Sequence, residues 1–170
     1  MALTFDTTLI AALVFGVVAL GTKPLIALLQ HIRLLDHPNE RSSHHRPTPV
    51  GGGVLIVATL IPAWLWQGGS GLWPLALAAL GLAAISLIDD FRLVPTGLRF
   101  AGHVAAVAWV LSLNPALAGW LPDAVPEPVA LIGVGLGWVW FINLFNFMDG
   151  IDGITGVECL GIGAGVVVLA

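Results

Sequence analysis

Long apolar runs alternate with short polar segments along the whole chain. The first run extends from about Leu9 to Leu29, with Lys23 and Pro24 near its end. A lysine there reaches the membrane interface by laying its stem along the helix, and the proline is expected to kink the last turns. A polar segment follows from His31 to Pro49. Gly51–Trp66 is the second run, and GGSG at Gly68–Gly71 reads as a turn. The third run, Leu72–Ile88, ends abruptly in Asp89 and Asp90. A short segment with Arg92 and Arg99 leads into the fourth run, about Phe100–Leu113. Asn114–Pro128 is a proline-rich loop, the fifth run spans Val129 to about Leu144, and Thr155–Ala170 begins a sixth. Runs of about 20 apolar residues cross a bilayer as helices. These runs are continuous and do not alternate, which favours helices over the strands of a barrel. The pattern predicts an all-α, polytopic transmembrane helix bundle with about five complete spans and a truncated sixth, forming one domain over residues 1–170.

Composition agrees. The chain is 58% hydrophobic and 9% charged, with a mean hydropathy of +0.97, whereas soluble domains are about 25% charged. Glycine suits close helix packing in lipid, and the Trp residues and the glycines at 133, 135 and 137 read as interface anchors and helix packing. A net charge of −4 argues against nucleic acid as a partner. The lone Cys159 cannot form an internal disulfide and reads as a small buried side chain. The N-terminus lacks a basic region and a small-residue cleavage site, so it reads as the start of a retained helix.

The placement of charge sets an orientation. Counting spans puts the segments 31–49, 89–99 and 145–153 on one side, and all six Lys and Arg residues belong to that side or border it. The opposite side carries Asp6, Asp123 and Glu127 and no basic residue. The positive-inside rule makes the first side cytoplasmic and the N-terminus periplasmic. Three polar segments from separate parts of the chain thereby emerge at one membrane surface.

Each segment has its own chemistry. Asp89 and Asp90 suit a hard cation such as Mg²⁺, and one of them could act as a general base; alternatively they mark the interface, paired with Arg92 and Arg99. NLFNFMDGIDG (residues 143–153) spaces Asn143, Asn146, Asp149 and Asp152 three apart. Each step of three drifts by about 60° around an ideal helix, so all four converge only if the helix tightens or breaks near Gly150 and Gly153. The loop DHPNERSSHHRPTPVGGG (residues 36–53) offers Arg41 and Arg46 to phosphate oxygens, and His44 or His45 as groups titrating near neutrality. Carboxylates, a divalent cation and a basic loop at a membrane surface suggest phosphate chemistry on a lipid substrate.

These three motifs, in this order, resemble the polyprenyl-phosphate N-acetylhexosamine-1-phosphate transferases (glycosyltransferase family 4 type), which initiate O-antigen, enterobacterial common antigen and teichoic acid linkage units. The phospho-N-acetylmuramoyl-pentapeptide translocase is a more distant member. The first motif looks most like the O-antigen-type initiating enzymes. The resemblance implies a bacterial inner-membrane enzyme with its site on the cytoplasmic face, and leaves room for a homodimer. An undecaprenyl phosphate would attack the sugar-linked phosphate of a UDP-N-acetylhexosamine such as UDP-N-acetylglucosamine, with Mg²⁺ or Mn²⁺, releasing UMP. It implies that Asp89 deprotonates or orients the lipid phosphate and that Asp90 supports metal or nucleotide. Asn146 matches a metal ligand, with Asp149 and Asp152 organising nucleotide and metal. Arg99 matches a phosphate contact, and Asp36, Arg41, His44 and Arg46 match the substrate-binding loop. Val50 stands where many relatives carry a basic residue, and His103 stands near where many have Gln. Family members are roughly twice as long, with a further metal-binding Asp and a His/Arg-rich loop in their remaining half. On this resemblance the chain corresponds to the N-terminal half of such an enzyme and is expected to be inactive alone.

Two other classes compete. A transporter or proton relay would place acids near mid-span, whereas here only Glu158 lies about a turn inside. A non-catalytic membrane subunit is the other. The Asp-rich diphosphate motifs of an aromatic prenyltransferase do not occur at the needed spacing.

Overall fold

The computed structural model describes residues 5–36, 38, 46–119, 121–122, 124–148 and 153–169. Six α-helices account for almost all of them: α1 Phe5–His31, α2 Gly53–Gly68, α3 Trp73–Phe91, α4 Thr96–Leu113, α5 Glu127–Met148 and α6 Ile154–Leu169. A two-stranded antiparallel pair, β1 Leu35–Asp36 and β2 Thr48–Pro49, joins α1 to α2.

Successive helices pack on one another, α1 on α2, α2 on α3, α3 on α4 and α4 on α5, as short connections demand. The centre of the α4–α5 contact is Val107, Leu111 and Val139, flanked by Leu131, Val134, Trp138 and Ile142. Most large apolar side chains instead face outward, for example Leu20, Trp66, Leu136 and Val168. This is the distribution expected where lipid, not water, is the surrounding solvent. Among the described residues four helices are long and apolar enough to cross a membrane: Thr7–His31, Trp73–Phe91, Thr96–Leu113 and Glu127–Phe147. The chain is a multi-pass membrane protein.

The predicted spans recur with instructive shifts. Helix α1 continues through Pro24 to His31. Helix α2 has 16 residues, about 24 Å at 1.5 Å per residue, against about 30 Å of hydrocarbon. GGSG is not an open turn: Gly68 is the last residue of α2, and Gly69–Gly71 belong to a 3₁₀ helix, Gly69–Leu72, that follows it directly. Helix α5 runs past Leu144 to Met148, so Asn146 is helical and not part of the 145–153 loop. Of the three glycines at 133, 135 and 137, only Gly135 meets a neighbour: a β-carbon there would stand 3.3 Å from Leu111 Cδ1, while the other two face open space. Cys159 is exposed, not buried, because α6 has no buried residue and packs chiefly on α5.

Candidate active site

The end of α1 begins the site. Leu34 N–H donates to the Leu29 carbonyl (3.0 Å) and Arg33 N–H to Gln30 (3.2 Å), with Arg33 in the left-handed region at φ 59°. This is the Schellman arrangement, in which an apolar residue beyond the cap folds back on the last turn. Leu29 and Leu34 are accordingly both buried. The chain then enters β1, whose Leu35 pairs with Pro49 and Asp36 with Thr48. Val50 N–H extends the pairing to the Leu34 carbonyl at 3.3 Å. Gly51 follows at φ +93°. A β-carbon on Gly51 would lie 3.4 Å from Leu34 Cδ2 and 3.8 Å from Asp90 Oδ2. The glycine end of the first motif is therefore held against the carboxylate pair.

Asp89 and Asp90 occupy the last turn of α3. Asp89 Oδ1 accepts the Val94 N–H at 2.8 Å, closing the turn to α4, and Asp89 Oδ2 accepts from Arg99 Nη1 at 2.8 Å. Arg99 reaches it from the first turn of α4, which opens after Pro95. The interface-marking alternative thus holds in part: Asp89 is paired with Arg99, whereas Arg92 joins no ion pair among the described residues. Asp90 is exposed beside this pair.

One cavity of about 390 Å³ gathers these groups. Its walls are Val50–Gly53 from the first motif, Ile85, Ser86, Asp89 and Asp90 from α3, Arg99 and His103 from α4, and Asn146 from α5. Residues nearly a hundred positions apart in sequence meet there. A second, apolar groove of about 510 Å³ runs from Gly51, Gly53 and Asp90 along α2 and α3, lined by Val57, Ala58, Leu80, Ala83 and Leu87 among others. The two spaces share the Gly51–Asp90 edge.

Not every expected residue is in this cavity. Asp36 and Arg46 lie at the two-stranded base of the loop, and neither lines the cavity. Arg41, His44, Asp149 and Asp152 lie outside the described residues. Helix α6 begins at Ile154 immediately after Gly153, whose φ of +81° is not helical, and Gly153 is one of the two glycines at which the third motif predicts a break. The predicted position Gly150 itself falls outside the described residues. His103 emerges as a wall of the cavity; its signal in the sequence was its place one turn after Arg99 on the same helix.

Among the described residues no group of three His, Cys, Asp or Glu side chains surrounds a single point. The cavity nevertheless fits a hard cation. Asp90 and Asn146 offer oxygen donors in one space, and Mg²⁺ takes only one or two protein carboxylates beside water and substrate phosphates.

A multi-pass helical bundle with an acidic, arginine-bearing cavity at one end of its helices defines the class. Comparison with known proteins narrows it. The family model for glycosyl transferase family 4 matches residues 72–170, more than half of the chain, and the chain belongs to that family. An undecaprenyl-phosphate alpha-N-acetylglucosaminyl 1-phosphate transferase of Yersinia pestis is 31% identical, the match covering 95% of this chain and 46% of the relative. One of the same name from Thermotoga maritima is 29% identical over 78% of this chain and 42% of the relative. A phospho-N-acetylmuramoyl-pentapeptide-transferase of Francisella tularensis is 31% identical over 89% of this chain and 49% of the relative. The chain thus spans about half the length of the curated relatives it matches. No solved structure matches it significantly.

Proposed function

We propose that this protein carries part or all of the site of a phosphoglycosyl transferase, which moves N-acetylhexosamine 1-phosphate from a UDP-sugar to undecaprenyl (polyprenyl) phosphate. An oxygen of the lipid phosphate attacks the sugar-linked phosphorus, the phosphoanhydride bond to UMP breaks, and the products are a polyprenyl-diphosphate sugar and UMP. The observation that carries the reading is the single cavity in which Gly51, Asp89, Asp90, Arg99 and Asn146 meet. The apolar groove that opens at Asp90 supports a lipid as one substrate.

In this reading Arg99 binds a phosphate oxygen, and its bond to Asp89 holds the guanidinium in place. Asp89 orients the acceptor through that pair. Asp90 and Asn146 are the described residues that would hold Mg²⁺ or Mn²⁺, with Asp149 as a further ligand. A cation bound there would supply charge neutralisation on the diphosphate. Asp36, Arg41, His44, Arg46 and Asp152 complete the substrate contacts. The basic segments support a site on the cytoplasmic face of a bacterial inner membrane, the location suited to the first step of an O-antigen-like polysaccharide. A transporter reading lacks comparable support, since the polar groups gather at one end of the helices.

The decisive assay uses membranes carrying the protein from its complete reading frame, supplied with undecaprenyl phosphate, Mg²⁺ and radiolabelled UDP-N-acetylglucosamine or another UDP-N-acetylhexosamine. Labelled lipid and equimolar UMP are expected. Absence of transfer from every such donor rejects the reading.

A further inference from the structure

We propose that His103 on α4 and Asn143 on α5 form a polar lock that positions Arg99 and Asn146, the groups those two helices bring to the cavity. The inference rests on the transfer reaction proposed above and adds two positioning residues to it.

Asn143 is the starting point. Of the two described asparagines of the third motif, Asn146 lines the cavity and Asn143 does not. Asn143 Nδ2 lies 2.7 Å from the Val139 carbonyl oxygen, one turn earlier on α5. A carbonyl only accepts, so the NH₂ end of the amide points there. Asn143 Oδ1 is thereby turned toward α4, where it lies 3.3 Å from His103 Nδ1. An amide oxygen also only accepts, so Nδ1 carries the hydrogen, whether the ring is neutral or an imidazolium. The amide is tied to its own helix at one end and to the neighbouring helix at the other.

The pair closes a seam. His103, Val107 and Leu111 recur every four residues on α4 and share one face, as do Gly135, Val139 and Asn143 on α5. Val107, Leu111 and Val139 form the buried centre of the α4–α5 contact, and Leu111 also faces Gly135. The seam is therefore apolar along most of its length and polar at its cavity end. Apolar contact is non-directional and holds two helices together without fixing how each is rotated. A hydrogen bond has a preferred length and angle and fixes both. Among the described residues this is the one side-chain hydrogen bond between α4 and α5.

The lock acts on what lies one turn beyond it. There α4 presents Arg99 and α5 presents Asn146 to the same cavity. A small rotation of either helix would separate the phosphate-binding guanidinium from the amide assigned to the cation. Misplacing such groups by about 1 Å costs up to about 10²-fold in rate. Interhelical hydrogen bonds in a bilayer add little to stability on average, so loss of this one should register in the geometry of the site more than in folding.

The test measures kcat, KM for the UDP-sugar and the Mg²⁺ concentration for half-maximal transfer. It uses membranes carrying the protein from its complete reading frame, with rates expressed per folded molecule. His103→Leu and Asn143→Leu fill similar space but cannot make the bond. Each is expected to lower kcat about tenfold and to raise the Mg²⁺ requirement severalfold, with a melting temperature close to wild type. His103→Gln restores an N–H donor and should recover most of both. The double Leu variant should be no worse than either single one, because both remove the same interaction. Leu variants with wild-type kinetics, His103→Gln as impaired as His103→Leu, or additive losses in the double variant overturn the proposal. Independently of catalysis, ¹⁵N-histidine NMR should show the resonance lost in His103→Gln as carrying Nδ1–H, and that resonance should shift in Asn143→Leu. A bare Nδ1, or a resonance indifferent to Asn143→Leu, overturns the lock. If wild type transfers nothing from any UDP-N-acetylhexosamine, the transfer reading falls and the positioning role with it; an active wild type with unaffected variants removes the lock alone.

Discussion

Arg99 and Asp89 lie 2.8 Å apart, and the same carboxylate also accepts the Val94 N–H. One side chain thus closes the α3–α4 turn and sets the only guanidinium among the described residues that lines the cavity. Asp89→Asn keeps an oxygen for Val94 but releases Arg99. Its expected effect is a loss of transfer on the order of 10²-fold, since a misaimed cation stabilises the transition state poorly. Stability should fall by about 1 kcal/mol or less, because the pair is partly exposed. Arg99→Lys retains charge without the planar fork and should retain part of the activity. Measured rates and detergent melting curves separate the two effects; a variant Asp89→Asn of undiminished rate would remove Asp89 from the site.

Gly51 and Gly52 are adjacent but not equivalent. Gly51 is left-handed at φ +93°, and Gly52 has open space where a β-carbon would go. Gly51→Ala should lower stability by about 1–2 kcal/mol through backbone strain and displace the turn from Asp90. Gly52→Ala should stay within about 0.5 kcal/mol of wild type. Equal melting temperatures for the two variants would contradict the turn.

The α3–α4 spacing is set at Gly102. A β-carbon there would stand 2.7 Å from Ile85 Cδ1. Gly102→Leu is expected to cost about 1–3 kcal/mol by overpacking. Because Ile85 also lines the cavity, transfer should fall with it, and Ile85→Ala in the same chain should restore a good part of both. Failure of that rescue would place the defect elsewhere.

Arg33 holds a left-handed conformation that glycine adopts freely. Arg33→Gly should therefore raise stability by about 1 kcal/mol, whereas Arg33→Ala, which keeps the β-carbon, should not. Chemical denaturation in detergent decides between them.

Chelation should abolish transfer, with Mg²⁺ or Mn²⁺ restoring it. Asp90→Ala should raise the cation concentration for half-maximal rate by about tenfold or more. Transfer that persists in excess EDTA would remove the cation from the proposed reaction.

Much of this architecture is legible in the sequence, because a bilayer imposes a coarse rule on it. Apolar runs of span length place α1, α3, α4 and α5 within a few residues of their observed ends, and the polar breaks name Asp89, Asp90 and Asn146. What escapes is pairing across distance. Nothing local to His103 announces Asn143, forty residues away on the next helix. Nothing local to Asp89 says whether its oxygens face solvent or Arg99. The glycines at 133, 135 and 137 look alike as a motif, yet one face of a helix touches its neighbour, so only Gly135 packs on α4. Hydropathy ends the fifth span at about Leu144, because Asn146 begins a polar stretch, yet α5 carries on to Met148; Asn143, within the span, satisfies its amide by donating to the Val139 carbonyl.

The short pairing of Leu35 with Pro49 and Asp36 with Thr48 has a consequence for how such sequences diverge. It closes the intervening segment at its base, so the ends of that segment are fixed whatever lies between them. Doubling the length of a closed loop adds only about 0.6 kcal/mol of closure entropy. Residues can therefore be inserted between Asp36 and Thr48 without moving Gly51 from Asp90. The clasp lets the segment vary in length while the turn at Gly51 keeps its place against α3.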